Sequence, residues 1–549
     1  MTKTRADEAV GCSRSPLWSM VFNAALNERI NNHQYTGSGT KDEPYVVCWF
    51  ADDPHNPLNF SRASKWTITV IVSLSAMVVA LVSSAYTGGM VELAQDFNTS
   101  QELALVGVSM FVVGFAVGPL LWAPLSETYG RRPLLLLNAI ALTALTAGVA
   151  VSPNIESVIA LRFLGGSFGS APLAIAGGVI VDLFPAVERG LAAGLYGAAP
   201  FIGPALGPII GGYLSQSKGW RAVEWLLTGL SGTMLLVMYL FLPETYAPAL
   251  LAKRAELLSR TTGQIYRSGL DLSQKKIPMS KKLGIALSRP WILLFREPIV
   301  LLLSLYLAII YGTLYMLFAA YPIVFEIGRG WDEGTTGLTF IGVMVGILIG
   351  TAYTIPMYFQ YRKKTLESSV PLLPEARLPD GYLGAVALPV GLFMFAWTNS
   401  PSIHWAVPVI AGMPFGFGML TVFLAVLNYL VDAYTIYAAS AMASTSVLRC
   451  IFGAAFPLFT GEMYKKLGLH WAASIPAFLA LACLPMPLLL HRYGPWIRER
   501  CHYAADASAT MKRYREMMML EAEASRQEQA TRSGRTSEEK GPTVNHIQQ

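Results

Sequence analysis

Two arginines fall where a charge is costly. Arg162 and Arg449 each sit inside a long apolar run of the 549-residue chain, and a guanidinium within a bilayer normally faces a partner or a wet cavity. Arg162 lies about six residues from the end of its run, roughly 9 Å deep at 1.5 Å per residue, and Arg449 lies deeper. A carboxylate at mid-membrane would be the natural proton carrier, and the runs contain none there. Asp182 and Asp432 occupy run ends on one side, and Glu92, Glu224, Glu326 and Glu462 on the other. Asp182 and Asp432 are therefore candidates for proton coupling, with partial burial shifting their affinity for a proton. Tyr311, Tyr315 and Phe318, spaced four and three, share a helix face. They are a candidate cavity wall for an apolar or cationic substrate, through stacking or cation–π attraction, or else interfacial packing. Asn428 is a polar side chain for the same cavity or for an interhelical hydrogen bond.

Other chemistries are absent from the pattern. The five cysteines and seven histidines are scattered, without a CxxC pair or ligand spacing, so neither a metal nor a cofactor is expected. Gly165-Gly166-Ser167-Phe168-Gly169 fits the G-x-S-x-G nucleophile elbow, but that motif needs a strand, a sharp turn and a helix above a soluble sheet. Here it lies in an apolar run, which argues against an enzyme. The net charge of +6 comes from Lys and Arg spread between apolar segments rather than gathered on one module, so no nucleic-acid partner is expected.

The elements that must hold these residues follow from composition. Hydrophobic residues make up 53% and charged ones only 14%, against about 25% in soluble chains, and mean hydropathy is +0.44. A membrane helix needs about 20 apolar residues. That ruler predicts twelve spans, near 66–87, 102–124, 134–152, 156–181, 191–214, 223–242, 298–322, 335–358, 382–398, 405–430, 439–463 and 471–490. Helices rather than barrel strands are expected, because the runs are too long for strands. Most Lys and Arg then fall on one side, which the positive-inside rule makes cytosolic, together with both termini. The expected organisation is a cytosolic arm (1–65), a six-helix half (66–242), a cytosolic central loop (243–297), a second six-helix half (298–490) and a cytosolic tail (491–549) with a helix near 509–528. The sequon Asn98-Thr99-Ser100 falls outside and is the candidate glycosylation site.

The halves repeat one another. A slide of 232 positions superposes Gly114 on Gly346, Gly118 on Gly350, Pro124 on Pro356 and Arg131-Arg132 on Lys363-Lys364; a slide of 250 superposes Val181-Asp182 on Val431-Asp432. Two related halves with a pathway between them is the reading.

Local motifs sharpen it. Between spans two and three stands Ala123-Pro124-Leu125-Ser126-Glu127-Thr128-Tyr129-Gly130-Arg131-Arg132. The tight turn needs Gly130, while Glu127 can pair with Arg131 or face a helix N-terminus. The stretch resembles the hallmark loop of the major facilitator superfamily, with Ala123 in place of its first glycine and Glu127 in place of its aspartate. Gly203-Pro204-Ala205-Leu206-Gly207-Pro208-Ile209-Ile210-Gly211-Gly212 resembles the antiporter motif of span five, whose small residues let helices approach closely. Asp53-Pro54-His55-Asn56-Pro57, Pro243-Glu244-Thr245-Tyr246-Ala247-Pro248 with Lys253-Arg254-Ala255, and Leu448-Arg449 are similar to stretches of the fungal 12-span drug:proton antiporters. This resemblance implies an all-α polytopic membrane protein of twelve helices in two pseudo-symmetric halves. It also implies export of small drugs or metabolites from the cell, across the plasma membrane, with the proton gradient as energy source and no cofactor. Glu127, Gly130, Arg131 and Arg132 would form a conformational latch, in a protein that works as a monomer in the lipid bilayer. A proton-coupled importer on the same fold is the alternative.

Overall fold

Inside a bilayer a helix pairs all its own backbone groups, which is why the long apolar runs become helices. The computed structural model describes residues 30, 33–50, 52–185, 188–269, 272, 278–367, 372–510 and 512–513. Among them the chain is helical apart from short turns, loops and two three-residue strands. After β1 (Tyr45–Val47) come α1 (Arg62–Ala85), α2 (Met90–Asp96), α3 (Gln101–Tyr129), α4 (Arg131–Ala150), α5 (Ile155–Gly169), α6 (Ala171–Leu183), α7 (Arg189–Lys218) and α8 (Trp220–Phe241). The centre holds α9 (Ala247–Thr262), β2 (Tyr266–Ser268) and α10 (Met279–Arg296). Then follow α11 (Pro298–Tyr321), α12 (Glu333–Leu338), α13 (Ile341–Glu367), α14 (Tyr382–Thr398), α15 (Ala406–Ile410), α16 (Gly412–Tyr434), α17 (Ala438–Cys483) and α18 (Pro485–Arg500).

Ten stretches of the described residues are long and apolar enough to cross a membrane. The last, residues 406–500, has 95 residues, and at 1.5 Å per residue a single rod of that length would reach about 140 Å. It folds back instead, at Thr435 (φ 27°) and at Gly468 (φ 75°). Beyond Gly468 the chain runs alongside α14: His470 meets the Ala396 carbonyl at 2.8 Å, and further along Arg498 pairs with Glu375 at 3.4 Å. The stretch is therefore broken at two points and doubles back on the bundle rather than forming one rod.

The largest buried side chains crowd α11, where Tyr306, Tyr315, Phe318 and Tyr321 are all shielded. Exposed apolar residues such as Leu137, Ile140, Leu236 and Val390 point outward instead. In water such surfaces would aggregate; against hydrocarbon they are the stable arrangement.

The central segment is more than a loop. β1 of the N-terminal arm pairs in parallel with β2, and Ile30 and Val47 pack on Leu251, Ala255 and Leu258 of α9. α10 buries Leu293 and Leu294 against the bundle. Most of the tail helix expected near 509–528 lies outside the described residues.

Candidate functional site

The hallmark loop is built on a glycine turn. Gly130 takes φ 96° and ψ 164°, a conformation that side-chain-bearing residues avoid, and it ends α3 and starts α4 without a linker. The first N–H groups of α4 would be orphans. Glu244, just past α8, accepts them from Arg131 at 2.9 Å and Arg132 at 3.1 Å, where the helix dipole also favours its charge. The same device recurs at the other face of the bundle. Gly219 (φ 86°, ψ 162°) separates α7 from α8, and Glu92 accepts the Trp220 N–H at 2.7 Å.

Arg131 threads inward. It donates to Ser126 Oγ at 2.6 Å, lies 3.3 Å from Asp182 and covers the Tyr246 ring at 4.8 Å. Gly178 leaves it room, since a Cβ there would stand 2.7 Å from the guanidinium. Arg132 donates to the Tyr239 carbonyl at 3.1 Å. The two roles that the sequence offered Glu127 belong to other carboxylates: Asp182 pairs with Arg131, Glu244 faces the helix N-terminus, and Glu127 itself is exposed. Both arise from chain segments more than 50 residues away, which local spacing cannot display. Asp432 mirrors Asp182, pairing at 3.0 Å with Arg377, whose guanidinium lies 3.5 Å over Tyr361.

Arg162 is almost completely buried, at 1% exposure. Its Nε donates to the Gly107 carbonyl and its Nη2 to the Ser83 carbonyl, each at 2.9 Å, and its charge faces Glu224 at 3.6 Å and the Tyr86 ring at 4.0 Å. The α1 carbonyls are available because α1 gives way to a tighter 3-10 turn at Tyr86–Gly89, which interrupts the helical pattern. Glu224 is the partner that sequence reasoning placed at a span edge. It lies one turn into α8, is 1% exposed, and its carboxylate accepts no hydrogen bond among the described residues.

A polar thread leads from this pair to the second half. The Ser83 hydroxyl meets Tyr315 Oη at 2.9 Å, Tyr311 donates to Tyr315 at 3.4 Å, and the Arg449 guanidinium lies 4.8 Å over the Tyr311 ring. Tyr311, Tyr315 and Phe318 are thus buried between the halves. Asn428 lines a cavity of about 260 Å³ with Leu191, Thr351, Tyr353, Arg377 and Asp380, toward the end of the bundle that carries Arg131 and Arg377.

At the opposite end the glycines of α7 permit close packing. A Cβ on Gly203 would lie 2.5 Å from the Met77 carbonyl oxygen, one on Gly207 2.7 Å from Ala85 N, and one on Gly212 2.6 Å from the Glu333 carbonyl oxygen. Gly211 abuts Ala85, while Pro204 and Pro208 are buried within the same helix. α7 therefore touches α1 and α12 backbone to backbone. Asn98 is exposed just before α3, with φ 48°.

Residues 72–457 match the family model described as Major Facilitator Superfamily. The chain is 52% identical over 502 residues to "MFS-type efflux pump MFS2" of Trichophyton rubrum, covering 91% of this chain and 84% of that one. It is also 52% identical over 504 residues to "Major facilitator superfamily multidrug transporter mdrA" of Aspergillus fumigatus, covering 92% and 83%. Among solved structures, the proton:xylose symporter XylE superposes with a TM-score of 0.57 at 16% identity, over 79% of this chain and 96% of that one, a likeness of fold alone. The chain belongs to the Major Facilitator Superfamily, and it is an integral membrane protein of that fold.

Proposed function

We propose that the protein exports small amphipathic or apolar molecules, drugs or secondary metabolites, by proton antiport. The observation that carries export is identity of 52% along nine-tenths of the chain with proteins named as an efflux pump and a multidrug transporter. Alternating access fits a bundle whose α7 packs tightly on α1 and α12 at one end while a cavity of about 260 Å³ lies toward the other. The two halves, 66–242 and 298–490, rock about the central cavity. The end bearing Arg131 faces the cytosol with both termini, the membrane is the plasma membrane, Asn98 carries a glycan, and the monomer is sufficient.

For coupling, the buried Glu224 is the sharper candidate beside Asp182 and Asp432. Among the described residues its charge is paired with Arg162 alone, and Arg162 keeps two carbonyl partners if Glu224 takes up a proton. Protonation would loosen α8 from α5 and, through Ser83 and Tyr315, alter the contact with α11. Arg131, Ser126, Asp182 and Glu244 form the latch that holds one state.

The test is transport in sealed inside-out and right-side-out vesicles under an imposed pH gradient. Export predicts substrate accumulation in inside-out vesicles driven by an acidic lumen. Proton-linked accumulation in right-side-out vesicles alone would make the protein an importer.

A further inference from the structure

The two intramembrane arginines have opposite surroundings. Arg162 donates to two carbonyls, lies over an aromatic ring and has a carboxylate, Glu224, within ion-pair range at 3.6 Å. Arg449 differs. Among the described residues no carboxylate lies within ion-pair range of it, and its buried Nε has no hydrogen-bond partner. It lies eleven residues into α17, roughly 17 Å from that end of the helix.

What surrounds Arg449 is aromatic. Its guanidinium covers the rings of Tyr311 at 4.8 Å and Phe423 at 5.1 Å, and Phe201 stands edge-on to the Phe423 ring with centroids 4.8 Å apart. Ring faces attract the charge but accept none of the in-plane N–H donors of the fork. A planar fork whose Nε is unpartnered and whose side-chain hydrogen bond goes to the weakly accepting Cys450 thiol, partly exposed in an apolar setting, matches one class of group best: a carboxylate or similar planar anion taken up through two parallel hydrogen bonds. Leu424, the next residue on α16, lines the cavity of about 260 Å³ with Thr421 and Asn428, whereas Arg449, Tyr311, Phe201 and Phe423 lie outside that lining. One face of each of the Tyr311 and Phe423 rings is already taken by the protein's own cation.

We propose that Arg449 is the anion-binding residue of the substrate site, and that the preferred cargo is an amphipathic organic monoanion. Its acidic group sits on the Arg449 fork and its aromatic or apolar body lies beside Phe201 and Phe423. This rests on the transporter reading above and names its substrate class.

Binding of 2-naphthoate and of 2-naphthamide, which keeps the ring system without the charge, is measured on the purified full-length protein in nanodiscs. The wild type is expected to bind the carboxylate at least tenfold more tightly than the amide. In Arg449→Gln the preference falls below twofold, and Arg449→Lys retains part of it. Equal affinities in the wild type, or a preference that survives in Arg449→Gln, overturns the proposal. The wild-type comparison decides even if Arg449→Gln does not fold. Because binding is read without vectorial transport, failure of export in sealed vesicles counts against the transporter reading alone.

Discussion

Asp53 and Arg254, 201 residues apart, form a two-point ion pair at 2.6 and 3.2 Å, with side chains only 1% and 8% exposed. Trp49 covers the guanidinium at 4.8 Å, and the β1–β2 pairing continues the contact. Two motifs that read as separate stretches of sequence are the two sides of one clasp between the N-terminal arm and the central helix α9.

Removing one side leaves a buried charge alone, at a cost of about 3–5 kcal/mol for such pairs. Asp53→Asn is expected to free the arm, seen as faster protease cleavage before residue 60, and the exchange Asp53→Arg with Arg254→Asp is expected to restore protection in part. Protection in Asp53→Asn equal to wild type would show that the strands and apolar contacts suffice.

The clasp also has a pH signature. Burial alone would raise the Asp53 carboxyl, but hydrogen bonds from His55 and Arg254 outweigh it and hold the group well below the ordinary carboxylate range. A depressed carboxylate contributes stability in full above its ordinary range, and that stability fades as pH falls through the depressed value. Arm protection is therefore expected to be flat from pH 8 to pH 5 and to decline only in stronger acid, measured by limited proteolysis with an acid-tolerant protease.

The latch ranks its own residues. Arg131→Ala and Glu244→Ala are each expected to lower transport at least tenfold while surface delivery persists, because one loses the Asp182 pair and the other the cap of α4. Glu127→Ala, which alters an exposed side chain, is expected to keep more than half of the flux. An inactive Glu127→Ala with active Glu244→Ala would reverse this assignment.

Bulk at the α7 glycines should act on assembly. Gly211→Val places branched carbons against the Ala85 backbone, where overpacking typically costs about 1–3 kcal/mol and more where backbone must move. A lowered melting temperature of the purified protein is expected. At Gly229, where nothing crowds a Cβ, Gly229→Ala should leave it unchanged.

The helices were legible because hydrocarbon imposes one length rule on every span; α14, Tyr382–Thr398, matches its expected window. Breaks inside spans were not, since the joint at Ser170 between α5 and α6 leaves no gap in hydropathy. Single residues such as Arg131 and Asp182 could be picked out, but not their pairing. Partners were hidden wherever a tertiary fold rather than a helical period brings them together, as with Arg162 and Glu224, 62 positions apart. Glu224 stands near a span edge, one turn into α8, as its sequence depth suggests, but its burial was hidden for the same reason: helix packing closes over it.

The strand pair between Tyr45–Val47 and Tyr266–Ser268 shortens the leash between the halves. With the chain anchored up to Ser268 and α10 starting at Met279, ten positions separate the two anchors, a covalent span of at most about 36 Å. A covalent limit of that size would cap how far the two halves can swing apart at this end. Inserting or deleting residues there would then tune the opening amplitude without touching the transport pathway.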